Sequence, residues 1–213
     1  MLQYFFGLNV YTRNSTLTII AILVLAGRSS SIASTVCIYG GAFNSPIPAN
    51  PDDTQGWMED AIIEVPDHFS ICDIDVAVSL RHTNACDLQI FIENPAGTSL
   101  CLNMYDFKDF FEGEDYTQTI FDDEAEVSIE QAKPPFTGRF RPKTLDDPNN
   151  LLQVFDGQDC YGSWRLKIYD AFYHDTGTLD SFEIRITVPE PATAVLLTLG
   201  TALLSLLKRR QQF

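Results

Sequence analysis

The chain has 213 residues, with 14 Lys+Arg against 29 Asp+Glu and a formal net charge of −15. So acidic a molecule repels nucleic acid and anionic lipid and is compatible with divalent cations or cationic surfaces. At 45% hydrophobic and 12% aromatic it is too apolar for a disordered chain. In chain order, Arg13 comes first, then a short apolar stretch, "LTIIAILVLAG" (17–27), then "SSSIAS", whose small residues suit cleavage after Ala33. That is the layout of a secretory signal peptide over residues 1–33, with a helical core short for a membrane span. Residues 34–55 read as a linker, stiffened by Pro46, Pro48 and Pro51 among polar neighbours.

The middle of the chain reads as strands. In "CDIDVAVSLRHT", Ile74, Val76, Val78 and Leu80 fall on one face and Asp73, Asp75, Ala77 and Ser79 on the other. "DLQIFIENPAGTSLCLNMY" gives two strands about a Pro-Ala-Gly-Thr turn, with Leu88, Ile90 and Ile92 in step. "GSWRLKIYDA" sets Trp164, Leu166 and Ile168 against Arg165, Lys167 and Tyr169. "GTLDSFEIRITV" alternates Leu179, Phe182, Ile184 and Ile186, with a one-residue shift between Leu179 and Phe182 that predicts a bulge. Short alternating strands, turn residues between them and no soluble helix predict one all-β antiparallel sandwich over residues 56–188.

Residues 34–188 carry nine basic and 28 acidic side chains and all five cysteines. Cys37, Cys72, Cys86, Cys101 and Cys160 form no CxxC or Cys/His spacing, which argues against structural zinc. In an oxidising compartment they predict two disulfides among Cys72, Cys86, Cys101 and Cys160, pairing open, with Cys37 the odd thiol.

The chain closes on "VPEPATAVLLTLGTALLSLLKRR". Pro189 and Pro191 suit the entrance of a helix, and residues 192–207 are uncharged, near the lower limit for spanning a bilayer. Lys208, Arg209 and Arg210 would stay on the cytoplasmic side. A transmembrane helix is therefore expected within residues 189–213, with the preceding segment outside the cytoplasm.

Two families are resembled. Val188-Pro189-Glu190-Pro191, then an apolar helix, then Lys208-Arg209-Arg210, is similar to a PEP-CTERM sorting signal. That resemblance implies an exosortase-type partner, a transient membrane anchor, and delivery to the cell envelope or extracellular polysaccharide matrix. From about Gly56 to Val188 the chain resembles the P domain, or Homo B domain, that accompanies kexin- and furin-like subtilisin proteases. The blocks that carry it are "IDVAVSLRHTNACDLQIFIENPAGT", "TIFDDEAE", "PPFTGRFRP" and "LLQVFDGQDCYGSWRLKIYDAFYHDTGTLDSFEIRI". It implies a jelly-roll-like (galactose-binding-like) sandwich with Trp164 and Phe182 in the core, and a non-catalytic role.

No residues for hydrolysis stand out: there is no Gly-x-Ser-x-Gly, and His68, His82 and His174 each sit in a turn or corner. Acidic loops are the remaining chemistry. Asp87, Asp122, Asp123 and Asp175 match positions at which the P-domain resemblance implies calcium, a cation that takes six to eight oxygens. A separate ligand platform is expected at Tyr105, Phe107, Phe110 and Phe111, aromatic side chains suited to stacking on sugar. Three functions follow as expectations: an exported module that binds or stabilises a partner at the envelope or matrix, an accessory domain acting in trans on a subtilisin-like endopeptidase, and a carbohydrate-binding surface protein.

Overall fold

A computed structural model describes residues 34–50, 55–104, 113–143 and 151–189. The expected signal segment, the apolar tail with Glu190, Pro191 and Lys208–Arg210, and the aromatic platform Tyr105–Phe111 lie outside the described residues. No helix among the described residues is long and apolar enough to cross a membrane.

Among the described residues, ten strands build two sheets. They are β1 (Ser34–Ile47), β2 (Gly56–Trp57), β3 (Ala61–Val65), β4 (Asp73–His82), β5 (Leu88–Glu93), β6 (Ser99–Asn103), β7 (Tyr116–Phe121), β8 (Phe136–Phe140), β9 (Gly162–Asp170) and β10 (Gly177–Pro189). One sheet runs β1-β10-β4-β7-β8; the other runs β2-β9-β5-β6, with β3 also pairing β9. Helical structure among the described residues is confined to three short 3-10 turns.

The alternation sorts side chains as the pattern predicts. Ile74, Val76, Val78 and Leu80 of β4 are buried, with Phe182, Ile184 and Ile186 of β10. They join Leu88, Ile90 and Ile92 of β5 and Trp164, Leu166 and Ile168 of β9 in one core cluster. Because both sheets feed that cluster, the architecture is a β-sandwich. At its centre Trp164 is fully buried, its indole Nε1 donating to the Cys160 carbonyl at 2.9 Å. Phe155 meets it edge-on at 5.2 Å between ring centroids, an arrangement that puts ring edge against π-face. The predicted bulge is present: the β10–β4 register shifts between Leu179 and Ser181.

Three expectations change. Residues 34–47 are not linker but β1, an edge strand pairing with β10 from Ser34↔Pro189 to Ile47↔Gly177. Glycines and prolines disguised it. Gly40 has φ of +146°, and a Cβ there would run into the Phe182 carbonyl, so this strand needs glycine to lie against β10. The prolines fall at its end and beyond. The pairing is not wholly antiparallel: β7 and β8 are parallel. Their connection, residues 122–135, is long enough for the crossover that parallel neighbours require.

The third change concerns sulfur. No disulfide joins Cys37, Cys72, Cys86, Cys101 or Cys160. They hang from separate elements: Cys72 donates its backbone N–H to Thr187, Cys101 lies on β6 opposite Phe91, and the Cys160 thiol faces the Asp67 carbonyl at 3.3 Å.

Candidate functional site

The loops at the C-terminal end of β4 gather the first polar cluster. His82, the last residue of β4, is buried: its Nδ1 lies 2.8 Å from the Asn84 carbonyl and its Nε2 3.2 Å from Oδ2 of Asp170, the last residue of β9. The other Asp170 oxygen accepts the Phe172 backbone N–H at 3.2 Å. This buried pair is fully engaged, and it fixes the β4 and β9 ends against each other.

Asp87 sits beside it, in the 3-10 turn Ala85–Asp87 that Asn84 caps. Its carbonyl accepts the Ala171 N–H at 3.1 Å, so the turn is tied to the β9–β10 loop. Its carboxyl lies near Asp175 of that same loop, which acts on its pKa. Asp175 accepts from the Thr83 hydroxyl at 2.7 Å. Burial raises the Asp87 carboxyl to about 6; Asp175 and the charge of Asp170 act in the same direction, and His82 opposes them. An open cleft of about 350 Å³ adjoins, lined by Arg81, Thr83, Asp115 and Gly177 among others.

Asp122 and Asp123 lie at the other end of the sandwich, by the start of β4. Asp122 accepts Arg139 Nε at 2.6 Å, and the same guanidinium forks to both oxygens of Asp75 at 2.9 and 2.8 Å. Burial pushes the Asp122 carboxyl up, but the hydrogen bonds from Arg139 and Glu124 outweigh it and hold the group below its ordinary value. Asp123 accepts the Leu152 and Gln153 N–H groups at 3.0 and 2.8 Å, capping the 3-10 turn Leu152–Phe155. Glu124 next to them is raised to about 7, by burial and by its hydrogen bond to Asp122.

The four expected calcium ligands are thus divided. The ten-residue strand β4 separates them by roughly 30 Å at the ordinary rise per residue. Asp87 and Asp175 come together; Asp122 and Asp123 serve Arg139 and a turn. Among the described residues no group of three or more His, Cys, Asp or Glu side chains is arranged to hold a metal. Asp87 and Asp175 with the Thr83 hydroxyl are therefore an incomplete donor set, fit for a hard cation only with further oxygens.

Sequence reasoning missed a third feature, on the outer face of the second sheet. Trp57 of β2 is 53% exposed and rests against Tyr169 and Phe91, with centroids 5.0 and 6.2 Å apart. A two-residue strand has no alternation to read, and the partners come from β9 and β5, far along the chain. On the surface, His68 bonds exposed Asp159 at 2.8 Å and stacks on Tyr161 at 4.0 Å.

The two sheets, the buried tryptophan of the Gly-x-Trp run and the acidic loop ends make up a β-sandwich module. The chain belongs to the proprotein convertase P-domain family, whose model matches residues 71–186. β1, β2 and β3 precede that match and pair with strands inside it. Among solved structures, the chain is similar to the Aeromonas sobria serine protease in its chaperone complex, at 17% identity and a TM-score of 0.46, over 75% of this chain and 28% of that one. It is also similar to a second crystal structure of the serine protease of Aeromonas sobria, at 16% identity and a TM-score of 0.43, over 73% of this chain and 27% of that one. The chain thus spans less than a third of the solved chains it matches. No curated protein matches it.

Proposed function

We propose that this chain is an exported, non-catalytic P-domain module that binds and stabilises a partner protein, and that the partner is a serine endopeptidase acted on in trans. The observation that supports this reading is the family match, which runs from Ile71 to Ile186 through both sheets. The family is defined on proprotein convertases, so a serine endopeptidase is the partner class it favours. In this reading the jelly-roll-like sandwich works as a rigid body whose loop ends do the recognising. Residues 1–33 direct export. Val188, Pro189, Glu190 and Pro191, the apolar segment after them and Lys208–Arg210 deliver the module to the envelope or matrix through an exosortase-type machinery. Calcium is the companion proposal. Asp87 and Asp175 would hold it, displacing the Asp87 proton and drawing the turn after β4 to the β9–β10 loop.

The test is stabilisation of an exported subtilisin-like endopeptidase from the same host. Its half-life at an inactivating temperature is measured with and without the full chain. A lengthened half-life with co-elution supports the reading, and an unchanged half-life without a complex removes it.

A further inference from the structure

We propose that the outer face of the second sheet is a binding platform for a neutral polysaccharide, built on Trp57, Tyr169 and Phe91. This goes beyond the protease reading and does not depend on it. The three residues come from adjacent strands β2, β9 and β5, with Trp57 opposite Tyr169 in the register and Phe91 opposite Lys167. Trp57 is the ring that reaches both neighbours, at 5.0 and 6.2 Å, while more than half of it stays exposed at 53%. A tryptophan left that open on a sheet face is unusual, since an indole gains so much from burial.

The surroundings select the ligand. Gln55 donates to the Tyr169 hydroxyl at 3.3 Å, and Gln89 stands opposite Tyr169 on β5. Side-chain amides carry both donors and acceptors, as a hydroxyl-rich ligand demands. The cations on this face, Lys167 and Arg165, share the single carboxylate of Glu93, at 2.7 and 3.4 Å. That pairing leaves one positive charge over, and the chain at −15 as a whole repels an acidic polymer. Each ring could bury about 150–250 Å² if wholly covered. Three partly buried rings fall well short of the roughly 800 Å² per partner of a stable protein interface. An open indole with two tilted aromatic neighbours, flanked by the Gln55 and Gln89 amides, suits the apolar faces and equatorial hydroxyls of pyranose units.

The full chain, kept in a polyoxyethylene detergent that has no sugar head group, is run through native gels containing a soluble β-glucan, galactomannan or amylose. At least one gel should retard it, with Kd raised tenfold or more by Trp57→Ala and by Tyr169→Ala. Titration with that glycan should shift the emission of Trp57, the exposed member of the two tryptophans, and Trp57→Phe should abolish the shift while keeping part of the retardation. Should Trp57→Ala lower the melting temperature, Gln89→Ala carries the same test with the rings intact. Retardation by none of the three glycans, or retardation equal in wild type and variants, overturns the proposal. So does loss of endopeptidase binding, with no glycan effect, in Trp57→Ala, which would assign this face to a protein.

Discussion

The Asp87 carbonyl accepts the Ala171 N–H at 3.1 Å, joining the turn after β4 to the loop before β10. That tie holds the Asp87 carboxyl in a buried place beside the acids Asp175 and Asp170. Asp87 is raised to about 6, so it holds its proton more tightly folded than unfolded. Its stabilising share is full below about pH 4 and is lost as pH rises through about 6, on the order of 2 kcal/mol in all. Melting in chelator should therefore fall over that window, and Asp87→Asn should flatten the fall. Glu124, raised to about 7, adds a later decline that Asp87→Asn leaves in place and Glu124→Gln removes.

Calcium should reverse the loss. At pH 7 it should raise the melting temperature of the wild type, while Asp87→Ala should reduce that gain and Asp122→Ala should leave it. Equal melts in calcium and chelator would end the calcium proposal. The asymmetry between the two aspartates follows from their places at opposite ends of β4.

Arg139 holds two carboxylates at once, Asp75 and Asp122. Those acids are mostly buried, at 13% and 7% side-chain exposure, while the guanidinium is half exposed. Removing the cation leaves them facing each other. Arg139→Met should cost about 1–3 kcal/mol in urea unfolding, and Arg139→Lys should recover only part, because a point charge cannot fork.

Trp164 is fully buried and its indole N–H is bonded to Cys160. Trp164→Ala should cost about 3–5 kcal/mol, by denaturant midpoint. Trp57→Ala, at an exposed site, should cost well under half of that. Equal costs would contradict the core assignment.

The cysteines give a clean check. Reductant should leave the melting temperature unchanged, and five thiols should titrate after unfolding without it. In the folded chain the exposed Cys72 should react first and Cys101 last, since burial pushes its thiol up to about 12.

The legible parts of the fold were those where period two runs uninterrupted. β4, β5, β9 and β10 could be read residue by residue, down to the slip beside Leu179. β1 could not, because Gly40 and Gly41 interrupt the pattern and an edge strand leaves Val36 and Ile38 exposed, at 56% and 59%. Nor could the parallel partnership of β7 and β8, which no local signal encodes. The site was half legible. Asp87 and Asp175 could be placed in loops from sequence, but spacing alone cannot say that those loops meet or that Asp122 faces an arginine from β8. The Trp57 platform is assembled by register across three strands, and sequence holds no record of it.

One measurement bears most directly on the central claim, that this P-domain module stabilises a serine endopeptidase. An exported subtilisin-like endopeptidase of the host is heated with an excess of the full chain, and residual activity is followed in time. The account predicts a half-life lengthened several-fold, saturating with chain concentration and matched by a complex on size exclusion. An unchanged decay at every concentration, with both proteins eluting apart, would contradict it.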